Sequence, residues 1–92
     1  MGGRDTHQSE LFGWSNNRNV LFVDHEGPSW IVARGWSNDD RLVDIRRWRF
    51  DSERRAAGQF RRLVEEATGD PAAAVVAMER LTEWFALRSR LA

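Results

Sequence analysis

The sequence predicts an α+β domain in which a three- or four-stranded antiparallel sheet is followed by two C-terminal helices packed on one of its faces. Two observations carry this expectation. Between Val20 and Phe50, short runs rich in β-branched and aromatic residues alternate with clusters of Gly, Pro, Asn, Asp and Ser, the pattern of strands joined by tight turns. From Asp51 onward, apolar residues recur at helical spacing, interrupted once by Thr68-Gly69-Asp70-Pro71.

Taken in order, Met1 to Asn19 is rich in Gly, Ser, Asn and charge, and residues 1–8 read as a mobile arm. Its apolar cluster, Leu11, Phe12 and Trp14, fits either a docked arm or a short edge strand. Val20-Leu21-Phe22-Val23 opens a strand that ends at the turn Glu26-Gly27-Pro28-Ser29. The partner strand is Trp30 to Trp36, closed by Ser37-Asn38-Asp39-Asp40, whose side chains bond their own backbone in turns. Leu42 to Phe50 is the third strand. Asp51 or Ser52 can accept a hydrogen bond from the free amides that begin a helix, and Glu53 suits its positive end. That helix carries Ala56, Ala57, Phe60, Leu63, Val64 and Ala67 on one side and is slightly weakened by Gly58. Gly69, Asp70 and Pro71 supply a stop, a cap and a first-turn proline, so a second helix runs from Pro71 to about Arg90. Its apolar band, Ala74, Met78, Leu81, Trp84, Phe85, Leu87 and Leu91, is broad enough to call for a partner.

Length bounds the core. Ninety-two residues make one domain spanning 1–92 with a thin interior, which favours self-association. No stretch approaches the roughly 20 apolar residues of a membrane span, and the polar start has no signal-like apolar region, so the expectation is a cytoplasmic protein without membrane contact. Absence of cysteine removes disulfides, thiolate metal sites and thiol nucleophiles, while leaving the redox compartment open. Formal net charge is zero, which argues against strong nonspecific attraction to polyanions. The charge is uneven, however. All 14 basic residues are arginine, and Arg46 to Arg62 holds seven of them against Asp51 and Glu53, a net +5 that could form one basic stripe on an acidic body.

Sorting strand residues by alternation yields two sides. Leu21, Val23, Ile31, Ala33, Val43 and Ile45 make an aliphatic set, expected to receive Phe60, Leu63 and Val64 of the first helix. Phe22, Trp30, Val32, Arg34, Trp36, Arg46, Trp48 and Phe50 make an aromatic set interleaved with arginine, expected to face away. Rings separated by guanidinium groups can stack unpaired bases and track phosphates. The same rings can equally form a second core layer or a homodimer contact, with arginines lying flat across them. Both readings stand on these residues. The arginine-rich turn from Arg46 to Arg55 likewise reads as a solvated helix flank or as part of a binding surface.

Enzyme-like fragments are weak, and no cofactor or metal is expected. In Asp24-His25-Glu26, neighbours on a strand point to opposite sides and cannot converge on one ion. His7 has no partner at helical spacing, and Ser9, Ser15, Ser29, Ser37 and Ser52 lack a glycine-flanked elbow or an identifiable base. No Gly-rich phosphate loop opens a helix.

Trp36-Ser37-Asn38 followed by Val43-Asp44-Ile45-Arg46-Arg47-Trp48 resembles the single-strand-binding domains of the transcriptional positive-cofactor-four type, especially short bacterial members. The similarity covers about a fifth of the chain. It implies a curved antiparallel sheet, a helix-mediated homodimer, and single-stranded DNA held on a basic, aromatic sheet face without a base code. Arg34, Trp36, Arg46 and Trp48 are the positions it singles out. The chain departs from that pattern in lacking lysine, in passing from Phe50 almost directly into a helix where the family has a further strand, and in carrying a second helix.

The expected function is therefore a non-catalytic, dimeric nucleic-acid-binding module that favours single strands, with Trp30, Arg34, Trp36, Arg46, Trp48 and Phe50 as its contact residues. The alternative is a protein-interaction module, such as an inhibitor, antitoxin-like or accessory subunit, docking a partner through the aromatic sheet face or the C-terminal helix.

Overall fold

Three two-residue turns, each with a positive φ, fold the first half of the chain into a meander. The computed structural model describes residues 11–91. The arm expected over residues 1–8, with His7 and Ser9, and the Leu91 side chain lie outside the described residues. Strands β1 (Phe12–Asn16), β2 (Asn19–Glu26), β3 (Ser29–Asn38) and β4 (Arg41–Phe50) form an antiparallel sheet in sequence order. Of the two readings for the Leu11, Phe12 and Trp14 cluster, the edge strand is the one realised, with Phe12 opposite Val23 and Trp14 opposite Leu21.

Turn chemistry explains the meander. Asn17 takes φ 58° between β1 and β2, and Gly27 takes φ 57° ahead of Pro28 between β2 and β3. The β3–β4 connection holds Asp39 at 51° and Asp40 at 66°. Two consecutive positive values are what a tight type I′ hairpin demands, and they cost an L-residue about 1–2 kcal/mol each, less for Asn or Asp and least for glycine. Asp40→Gly is therefore expected to stabilise the protein by about 0.5–1 kcal/mol, because relief of that strain outweighs glycine's extra unfolded-state entropy. A urea titration reads it as a higher midpoint at unchanged slope, and a lower midpoint would refute it.

Helix α1 (Glu53–Thr68) starts where Ser52 Oγ accepts the Arg55 N–H at 3.2 Å. It stops at Gly69, whose φ of 65° lets its N–H reach the Glu65 carbonyl at 2.7 Å. Asp70 Oδ1 then accepts the Ala72 N–H at 3.0 Å and starts helix α2 (Pro71–Leu91). Among the described residues, no helix is long and apolar enough to cross a membrane.

Both helices lie on one side of the sheet, and the core forms between the layers. Leu21, Val23, Trp30 and Val32 meet Ala56, Phe60, Leu63 and Val64 of α1, with Ala74, Ala77 and Leu81 of α2 completing the interior. Phe12, Trp14, Trp48 and Phe50 flank it, half-buried. This overturns the expected sorting of sides. Leu21 and Val23 face the helices as anticipated, but Trp30, Val32, Trp48 and Phe50 share that interior, while Ile31, Ala33 and Ile45 lie on the open side.

The reason is register. Val23 sits opposite Val32, and Val32 opposite Trp48, so these three residues must share a side. A sheet covered once has a single interior, and placing the ring-bearing set there removes more apolar surface from water than the aliphatic set would, since each aromatic buries about 150–250 Å². A bulge adds to the change. Two residues of β4, Asp44 and Ile45, stand between the pairs Trp36–Val43 and Arg34–Arg46, against Gly35 alone on β3. Asp44 adopts φ 54° there, which puts Val43 and Ile45 on opposite sides although their numbering gives them one parity.

Most of the α2 band finds cover within the chain. Ala74 and Leu81 are buried, and Met78, Trp84 and Phe85 pack half-buried against the core. Leu87 remains exposed, as do Val75 and Val76, but Arg80 and Glu83 separate Val76 from Leu87 along one helix face and break any continuous stripe.

Candidate functional site

The six residues singled out by the sequence do not form one surface. Trp30 is only 8% exposed. His25, its cross-strand neighbour, stacks flat against the indole at 3.9 Å, and Trp84 and Phe85 meet it edge-on at 6.1 and 5.2 Å. Phe50, opposite Trp30, is half-buried against the same cluster. Trp30 is covered by its neighbours, and Phe50 lines a separate pocket with Ser29, Arg49, Asp51 and Arg55, so both lie apart from the candidate site. Trp48 is half-buried, with the Arg46 guanidinium 5.7 Å from its ring centroid.

Of the other four, Trp48 stays packed against the core, while Arg34, Trp36 and Arg46 come together beside the bulge of the β3–β4 ladder, where Glu66 of α1 reaches Arg34. With Asn19, Asp44, Gly35 and Ile45 they line an open groove of about 690 Å³. That volume falls within the roughly 300–1,000 Å³ range of small-molecule sites. Each wall has a local cause. Asn19 and Trp36 are cross-strand partners at the start of β2, and Arg34 and Arg46 are partners across β3 and β4. Two guanidiniums directly opposite each other repel, a cost of a few tenths of a kcal/mol or more. The structure offsets it from two sides: Glu66 of α1 pairs with Arg34 at 3.5 Å, and Arg46 leans over Trp48. Trp36, 41% exposed, offers its indole to solvent.

Asn19 and Asp44 were not among the residues expected from sequence. Asp44 carried one readable signal, since an aspartate tolerates the left-handed conformation of a bulge better than a β-branched residue does. Asn19 carried none, because its place depends on the β2–β3 register. Together the groove holds an exposed ring, two cations, an amide and a carboxylate. This set can stack a planar group, accept an anion and bond the polar edge of a base.

The expected basic stripe is divided by the fold. Arg46 enters the groove, Arg47 and Arg49 stand on the open side of the sheet, and Arg54, Arg55, Arg61 and Arg62 are exposed along α1. Arg55 pairs with Asp51, just ahead of the helix, at 4.0 Å, and Arg61 pairs within it with Glu65 at 3.3 Å. In Asp24-His25-Glu26 the histidine lies against Trp30 on the helix side, whereas strand alternation turns the two acids to the open side. Among the described residues no cluster of three or more His, Cys, Asp or Glu could hold a metal ion.

Comparison with protein-family models, curated protein sequences and solved structures found no match to this chain.

Proposed function

We propose that this chain is a non-catalytic module that binds single-stranded nucleic acid through the groove of Arg34, Trp36 and Arg46. The observation supporting this reading is the exposed Trp36 indole sharing one open groove with the cross-strand guanidiniums of Arg34 and Arg46. A stacked base contributes about 1–3 kcal/mol, and Arg34 and Arg46 can neutralise two neighbouring phosphates. Asn19 and Asp44 lie within the same groove to bond the base edge.

The geometry favours single strands over duplex. One exposed ring accepts a base only when that base is unstacked, and a neutral chain with its arginines dispersed offers no extended basic track for a double helix. Titrating the protein with a short oligothymidylate at low salt should quench part of the tryptophan emission. The logarithm of the affinity should fall with log salt at a slope of about −1.4, as two released single-strand counterions require. Absence of quenching at low salt, or equal binding to a duplex of the same length, would defeat the proposal. The alternative of a protein-interaction module draws support from a different surface, the open side of the sheet.

A further inference from the structure

The side of the sheet turned away from the helices is apolar along its middle and charged along its margins. Leu11, Phe22, Ile31, Ala33, Leu42 and Ile45 gather there. An antiparallel sheet with one side in water ordinarily presents polar residues to it. Here the outward positions of β3 are instead Ile31, Ala33 and Gly35, already buried within the single chain, and around them Leu11, Leu42 and Ile45 are 44%, 40% and 51% exposed.

The charges on this side are divided by strand. Asp24 and Glu26 stand on β2, Arg47 and Arg49 stand on β4, and β3 between them contributes none. Arg49 reaches across β3 to Glu26 at 3.4 Å. The face is therefore neutral in total and opposite in sign on its two halves, with β3 as the dividing line. A surface of this kind is complementary to itself after a half-turn about that line.

We propose that this face is the interface of a homodimer in which two copies pack sheet against sheet about a two-fold axis running along β3. Register determines what would meet. Asp24, Ile31 and Arg49 lie at one level across the sheet, and Phe22, Ala33 and Arg47 at another. The half-turn exchanges β2 with β4 and preserves the level. It lays Asp24 against the partner's Arg49, Phe22 against the partner's Arg47, and Ile31 and Ala33 on their own copies. The first contact joins opposite charges and the second sets a guanidinium on a ring. A half-turn about an axis perpendicular to the strands would leave β2 over β2 and β4 over β4, acid on acid and base on base.

The half-turn about β3 overlays β2, β3 and β4 and leaves β1 outside the contact. Three strands about 4.8 Å apart and some eight residues long at about 3.3 Å per residue give a face of roughly 380 Å². Two copies then cover roughly 760 Å², the extent of a weak, transient association whose specificity comes from its charge pattern. The dimer has four layers, with two sheets inside and both helix pairs outside. The Trp36, Arg34 and Arg46 side chains of the groove lie on the helix side, and the groove meets the dimer face at Ile45, which lines both.

Sedimentation equilibrium of the full chain at low salt tests this arrangement. A dimer is expected at about 100 μM or below. Ile45→Glu places a charge on a position already half-exposed in the single chain, and should yield a folded monomer by circular dichroism and sedimentation. Asp24→Arg and Arg49→Glu should each weaken association at least tenfold, the first by setting arginine against arginine and the second acid against acid. Mixing these two variants in equal amounts should restore a dimer, since each then offers the charge the other lacks. A monomeric parent chain at that concentration, a dimer that survives Ile45→Glu, or a mixture no better associated than its components would each overturn the proposal.

Discussion

Trp30→Ala is expected to destabilise the protein by about 3–5 kcal/mol, a large part of the roughly 5–15 kcal/mol that holds a small domain together. The indole is 8% exposed and is held on three sides: His25 stacked at 3.9 Å, and Trp84 and Phe85 edge-on. Truncation would open a cavity between the sheet and α2, where Leu81 and Ala77 are already fully packed. Urea unfolding should show a much lower midpoint, while the folded fraction keeps its affinity for an oligonucleotide. Trp30→Phe should recover much of the loss, because a ring still fills most of the space. The opposite outcome, lost binding at unchanged stability, would return Trp30 to a ligand surface and contradict the packing.

The fate of Trp30 marks where the sequence was legible and where it was not. Turns and caps were readable because their chemistry is local. Gly27-Pro28, Asp39-Asp40, Ser52 and Gly69-Asp70-Pro71 each solve a backbone problem within about four residues, and the strand and helix boundaries from Glu26 to Pro71 follow from them, whereas the turn at Asn17 that defines β1 is not among them. The side a strand residue faces is not local in this sense. Alternation assigns parity within one strand, but joining parities across strands requires the register, and nothing near Trp30 in the chain states that it lies opposite His25 and Phe50. Aliphatic residues of β2 were thus grouped with aliphatic residues of β3 by resemblance of type, whereas pairing set Val23 beside Val32. The bulge at Asp44 then changed the phase of β4 midway, separating Val43 from Ile45. Half of the expected contact set survives for a related reason. Arg34, Trp36 and Arg46 share the helix-facing side with Trp30 and Phe50, but they lie beside the bulge and line the open groove, outside the core cluster.

Trp36→Leu is the sharpest test of what that surviving set does. A base stacked on the indole contributes about 1–3 kcal/mol, so loss of the π face should weaken oligonucleotide binding roughly fivefold to 150-fold. Leucine still covers Val43 across the ladder, and since the indole is 41% exposed the cost in stability should stay within about 1–2 kcal/mol. Trp36→Phe keeps a ring and should keep most of the affinity. Arg46→Gln separates the electrostatic part, because it removes one phosphate contact and should reduce the salt slope by about 0.7, whereas Trp36→Leu should lower affinity without changing that slope. The two substitutions act on one nucleotide by different physics, and the salt dependence tells them apart where affinity alone does not. If Trp36→Leu bound the oligonucleotide as tightly as the parent protein, the base would have to rest elsewhere, which would overturn the assignment of the groove, since the other described tryptophans, Trp14, Trp30, Trp48 and Trp84, all pack against or within the core.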